Sequence, residues 1–198
     1  GLLYKFWLWR IPKKSKDWNT KNLTSIGEEY TRYLKKISTK HQYITDKLPH
    51  NFQWIGFIKL IFPKAKIVHC TRNKYDNCLS IFKNFFAGNF KFCYDLKELA
   101  HHYRGYSSLM DHWHKEIPGY IYNISYEELL KNQEREIKNL IDFIGLNWDP
   151  ICLKFYENKR PVHTVSLSQV RKPIYKDSLK SWENFKVGMN PLIKEFEN

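Results

Sequence analysis

One stretch, Ala65–Ser80 (AKIVHCTRNKYDNCLS), constrains the fold of this chain more than any other. A short apolar run around Ile67 and Val68 gives way to a basic, polar turn, and a hydroxyl residue, Ser80, stands eight positions after Arg72. That spacing predicts a buried strand that delivers Arg72 to its carboxyl end, then a helix that carries Ser80 back toward the same point. An arginine and a hydroxyl converging beyond a strand end make an anion site.

The rest of the chain reads as an alternation of short strands and longer helices. Strands are predicted at 41–45 (HQYIT), 66–70 and 120–124. Helical spacing of apolar residues places helices at Asn22–Ile37, with Thr24 or Ser25 as its cap, Phe52–Phe62, Tyr75–Phe86 and Leu96–Lys115, the last capped by Asp95. A further helix starts at Ser125-Tyr126-Glu127-Glu128 and runs to Ile144, with Gly145 as its terminator, and shorter ones cover Asp149–Asn158 and Asp177–Phe185. The tail beyond is weakly specified. Strands alternating with helices argue an α/β fold with a parallel sheet, in a single domain with no internal repeat.

Composition narrows the function only in part. The chain has 198 residues and a net charge of +13. Such a balance fits an anionic partner, be it nucleic acid, a membrane surface or a phosphorylated or sulfated small molecule. The lysines are spread along the chain, and no nucleic-acid-binding motif appears. No run approaches the roughly 18 to 20 apolar residues of a membrane span. The four cysteines, Cys70, Cys78, Cys93 and Cys152, form no CxxC pair and read as small buried hydrophobes in a reducing, cytoplasmic compartment. The histidines lack metal-ligand spacing; His50, beside Lys47, is the one worth testing for catalysis.

In an open α/β sheet, ligands bind beyond the carboxyl ends of the strands. Here those ends carry Asp46-Lys47, Thr71-Arg72-Asn73 and Ser125-Tyr126-Glu127. A guanidinium grips phosphate through paired hydrogen bonds, whereas an ammonium acts as a mobile point charge. Together they describe a rim for a multiply charged anion.

These residues carry a family resemblance. Thr45–Phe52 (TDKLPHNF) followed by FPKAKIVHCTRNKYDNCLS resembles the sulfotransferase superfamily, nearest to the bacterial branch usually fused to tetratricopeptide repeats and related to tyrosylprotein sulfotransferases. Further matches follow in order: Tyr126-Glu127-Glu128-Leu129, Gly145–Pro150 (GLNWDP), and Ser166–Tyr175 (SLSQVRKPIY) with Ser178 and Trp182 after it. The resemblance covers about residues 25–186. It implies a P-loop-NTPase-like three-layer sandwich and transfer of a sulfuryl group from 3′-phosphoadenosine 5′-phosphosulfate to a hydroxyl or amine of a peptide tyrosine, carbohydrate or small metabolite, with no metal.

The resemblance also implies roles. Arg72 and Ser80 match the residues that hold the donor's 3′-phosphate, Tyr126 a tyrosine on the nucleotide, and Lys172 a lysine of the late loop over its phosphates. Lys47 matches the lysine that neutralises charge on the oxygen between sulfur and the leaving phosphate, and Ser166 a serine near that oxygen. The family's glycine-rich G-x-P-R-S-G-T-T segment has no match here, and Asn84 stands where some relatives place a second arginine. The expectation is therefore a C-terminal portion of a sulfotransferase domain, lacking the first strand and phosphosulfate loop, with tetratricopeptide repeats upstream in the full protein. Two alternatives stand beside it: a basic nucleic-acid-binding domain, and a nucleotide-binding pseudo-enzyme without turnover.

Overall fold

A computed structural model describes residues 10–37, 42–86, 90–158, 171–174 and 179–197. Its contacts divide the chain into two compact units, Gly1–Ala65 and Lys66–Asn198.

In the first unit, helix α1 (Thr20–Ile37) and helix α2 (Ile55–Ile61) pack through Tyr30, Phe57 and Ile61, with Leu23, Ile26, Leu34, Trp54 and Phe62 around them. The start of α1 lies earlier than its apolar stripe predicts, because Asn19 Oδ1 accepts from the Asn22 amide at 3.0 Å and does the capping assigned to Thr24 or Ser25. Gly27 sits where α1 meets α2: a Cβ there would lie 2.9 Å from the Ile61 carbonyl oxygen, so glycine is needed for the close approach. A 3-10 turn, Pro49–Trp54, leads into α2. Leu48 before it is extended (φ −137°, ψ 123°), as a residue preceding proline must be. The strand expected at 41–45 is not formed over residues 42–45, and Tyr43 and Ile44 are exposed. Alternation alone does not make a strand; a partner edge must pair with it, and among the described residues none does.

The second unit is built on two parallel strands, β1 (Ile67–Thr71) and β2 (Ile121–Ser125), in register from Ile67 opposite Ile121 to Thr71 opposite Ser125. Successive residues of a strand face opposite sides. On one side His69 meets Tyr106; on the other the Tyr122 ring stacks on Phe143 at 4.9 Å. Helices α4 (Leu96–Glu116) and α6 (Gln133–Ile144), which supply Tyr106 and Phe143, therefore cover the two faces of the sheet. The arrangement is mixed and mostly helical around a small parallel sheet, compatible with an α/β sulfotransferase fold.

Local capping explains most boundaries. Asn73 Oδ1 accepts from the amides of Tyr75 and Asp76 at 3.0 and 3.2 Å and starts α3 (Lys74–Phe82). Asp95 does the same for α4, at 2.9 Å to both Lys97 and Glu98. The helix expected to run from Ser125 to Ile144 is two: α5 (Tyr126–Lys131) and α6, broken at Asn132 (φ −137°, ψ 55°). Gly145, at φ 76°, ends α6 in the left-handed conformation that glycine adopts without strain. The tail is better specified than its sequence shows. Helix α7 (Asn190–Glu197) packs on α4, and Met189, Leu192 and Ile193 share one core with Cys78, Leu79, Leu99 and Ala100. Cys78 and Cys93 are buried as expected, but Cys70 is exposed, as is Val68 on the same face, where α6 packs over β2 and leaves β1 open.

Candidate functional site

Parallel pairing decides which strand ends become neighbours. Thr71 and Ser125 are opposite each other, so the next residues, Arg72 and Tyr126, emerge side by side at the carboxyl end of the sheet. The Arg72 guanidinium carbon lies 5.1 Å from the centre of the Tyr126 ring, a cation–π geometry for a half-buried arginine. The positive start of α3 lies two residues past Arg72.

A carboxylate fastens the two strand ends. Glu127 Oε1 accepts from the Asn73 backbone amide at 2.8 Å, and its Oε2 accepts from the Ser125 hydroxyl at 2.9 Å. Burial pushes the Glu127 carboxyl up, but the backbone amides of Asn73 and Glu127, the Ser125 hydroxyl and the Arg72 charge outweigh it, holding the group below its ordinary value. Glu127 thus ties the β1–α3 turn to the start of α5, within the field of the Arg72 charge. Sequence reasoning placed it on the rim but missed this work; the only signal was its position right after Tyr126.

The other predicted site residues are placed as follows. Ser80 is exposed on α3, roughly 9 Å along the helix axis from Lys74. Asn84 Nδ2 donates to the Ser80 carbonyl at 2.7 Å, closing the helix end. Lys172 is exposed. Ser166 lies outside the described residues, as does most of the SLSQVRKPIY segment. Lys47 is exposed and belongs to the first unit, in the extended stretch before Pro49. Its neighbour Asp46 is anchored there: the Tyr30 hydroxyl donates to Asp46 Oδ2 at 2.7 Å. Burial, then that carboxylate, pushes the Tyr30 phenol well up. His50 is half-buried, and burial lowers its pKa. Among the described residues, no group of three or more His, Cys, Asp or Glu side chains could hold a metal ion, and no helix is long and apolar enough to cross a membrane.

Helices on both faces of parallel strands, with an arginine and an aromatic ring side by side at their carboxyl ends, define an α/β protein with a candidate site at the sheet edge. The sequence model of the Sulfotransferase family matches residues 10–150, which include both strands and the Arg72–Glu127 rim, and the chain belongs to that family. It is similar to an uncharacterized protein of Aquifex aeolicus (strain VF5), 36% identical over 194 residues that cover 93% of this chain and 26% of the relative. The chain thus spans about a quarter of that relative's length.

Proposed function

We propose that this chain serves sulfuryl transfer from 3′-phosphoadenosine 5′-phosphosulfate to a hydroxyl or amine acceptor, as part of a sulfotransferase domain. The observation that carries the reading is the placement of Arg72 against the Tyr126 ring, fastened by Glu127, within the stretch matched by the family. In this reading Arg72 and Ser80 hold the 3′-phosphate, and Tyr126 lies along the nucleotide. Lys172 adds charge over the phosphates, while Lys47 and Ser166 serve the bridging oxygen. A phosphate needs an array of donors with fixed direction, and a guanidinium braced on a ring offers one.

The donor supplies an activated sulfuryl group. An acceptor oxygen forms a new S–O bond as the bond from sulfur to the nucleotide's 5′-phosphate oxygen breaks; the acceptor proton goes to a base, and adenosine 3′,5′-bisphosphate carries away the charge. The side chains named here contribute positioning and charge neutralisation, not covalent chemistry. The 5′-phosphosulfate end would be cradled by a glycine-rich loop that this sequence does not contain, on a further strand extending the parallel sheet toward a three-layer, P-loop-like sandwich. Four free cysteines suit a reducing, cytoplasmic setting.

Calorimetry with adenosine 3′,5′-bisphosphate tests the site on wild type and Arg72→Ala. Hydrogen bonds to a charged group contribute about 1.5 to 3 kcal/mol, so affinity should fall roughly 10- to 100-fold. Binding that survives the substitution unchanged would sink the assignment.

A further inference from the structure

Among the described residues, Asp76 is the one charged side chain fully buried in the second unit, at 2% exposure, in the first turn of α3. Its carboxylate meets three donors, all from one distant segment. Oδ2 accepts from the Lys180 amide at 2.8 Å, and Oδ1 accepts from the Trp182 amide at 3.0 Å and the Ser181 hydroxyl at 3.1 Å. Two features mark this as a built contact. Lys180 is held in the left-handed region (φ 55°, ψ 19°), alone among the described non-glycine residues, and that turn aims the donors of 180–182 at a single anion. The Trp182 ring then stacks on Tyr75, beside Asp76, with centroids 4.5 Å apart.

Packing alone does not account for a carboxylate here. An apolar side chain of similar volume would fill the same space without the cost of desolvating a charge. A carboxylate with converging donors instead specifies one position for the segment that meets it. That segment follows Lys172 by eight residues, a reach of at most about 29 Å. The other side of the contact is the helix that carries Ser80 and begins two residues past Arg72.

We propose that Asp76 is a positioning residue for nucleotide binding: it pins residues 180–182 to α3 and thereby keeps Lys172 at high effective concentration beside the Arg72 rim. The proposal rests on the reading of Arg72, Ser80 and Lys172 given above. Without the pin, the fixed point at residues 180–182 is lost, and the Lys172 ammonium, eight residues before it in sequence, samples a larger volume. Asp76 itself is buried and acts only through residues 180–182.

The test is a double-mutant cycle with Asp76→Asn and Lys172→Ala, read by calorimetry with adenosine 3′,5′-bisphosphate. Each single substitution should weaken binding by about tenfold, the scale of one charge-assisted contact, and the double variant should bind no more weakly than the weaker single one. Leu192→Ala, which loosens the same core and leaves Asp76 intact, should keep wild-type affinity. Fully additive losses, an unchanged Asp76→Asn affinity, or an equal loss in Leu192→Ala would each overturn the proposal. Hydrogen exchange without nucleotide reads the pin directly: Asp76→Asn should speed exchange at 171–174 and 179–182 and leave α4 unchanged. Unchanged exchange overturns the pin. Faster exchange in a protein whose wild type binds no bisphosphate overturns the nucleotide reading, and the role of Lys172 with it, but not the pin.

Discussion

Truncating Leu192 to alanine tests whether the C-terminal helix is part of the core or an appendage. Leu192 has no exposed surface and lies in α7 against Leu99, Ala100 and Cys78. At about 0.8 kcal/mol per buried CH₂, cutting the side chain back to a methyl loses about 2.4 kcal/mol of transfer energy. The pocket is walled by α3 and α4 and cannot collapse fully, so the residual cavity raises the loss to about 3 or 4 kcal/mol. For a chain of this size, each kcal/mol moves Tm by roughly 2 to 4 °C, so melting should fall by about 6 to 16 °C. Tryptophan fluorescence is a suitable probe, because Trp182 packs against this core. Val187, at 92% exposure and five residues away, is the control, and Val187→Ala should stay within about 0.5 kcal/mol of wild type. If Leu192→Ala costs no more than Val187→Ala, the tail is not docked, and the core described for the second unit is wrong.

Two further outcomes follow from titration and chemistry. His69 is held between Asn123, 2.8 Å from its Nδ1, and the Tyr106 hydroxyl at its Nε2, with the His114 ring 6.2 Å away. Burial lowers its pKa, His114 adds to the effect, and the Asn123 bond opposes it. The unfolded chain therefore takes up a proton first: stability from neutral His69 is complete above its ordinary value near 6.5 and is lost as pH falls through the lower folded value. His69→Gln should make the fall of Tm between roughly pH 7 and pH 5 shallower, with part of the slope retained because His50 shifts in the same direction; an identical slope refutes the account. In a longer form of the protein that turns over, Lys47→Ala should lower kcat far more than nucleotide affinity, and equal losses in both would make Lys47 a binding residue only.

What was legible in the sequence was local. Asp95 was read as a cap and Gly145 as a terminator, and both are, because each acts within a turn of its own position. Arg72 and Tyr126 were each read at a strand end, but their meeting depends on β1 pairing directly with β2 in one register, a fact written in neither stretch. The sequence specifies helix α7 only weakly for a related reason. Eight residues show too little of a period to stand out, and its partners lie on α4 about ninety positions earlier.

The deeper gap concerns charge. Sign alone points to Arg72, Lys47 and Lys172 as the rim of an anion site. The structure assigns much of the organisation to two carboxylates instead. Glu127 ties the Asn73 amide, directly beyond Arg72, to the start of α5, and Asp76 collects the donors of residues 180–182 onto α3. A flexible cation gains from a phosphate only what remains after its own ordering is subtracted, so the groups that hold the frame still decide how much of the attraction is realised. On the proposed reading, these two carboxylates are thus the residues whose loss should reduce affinity without their touching ligand. Apart from Ser125, two residues from Glu127, their partners lie 54 and 104 to 106 residues away in sequence, which is why local pattern carries so little sign of them.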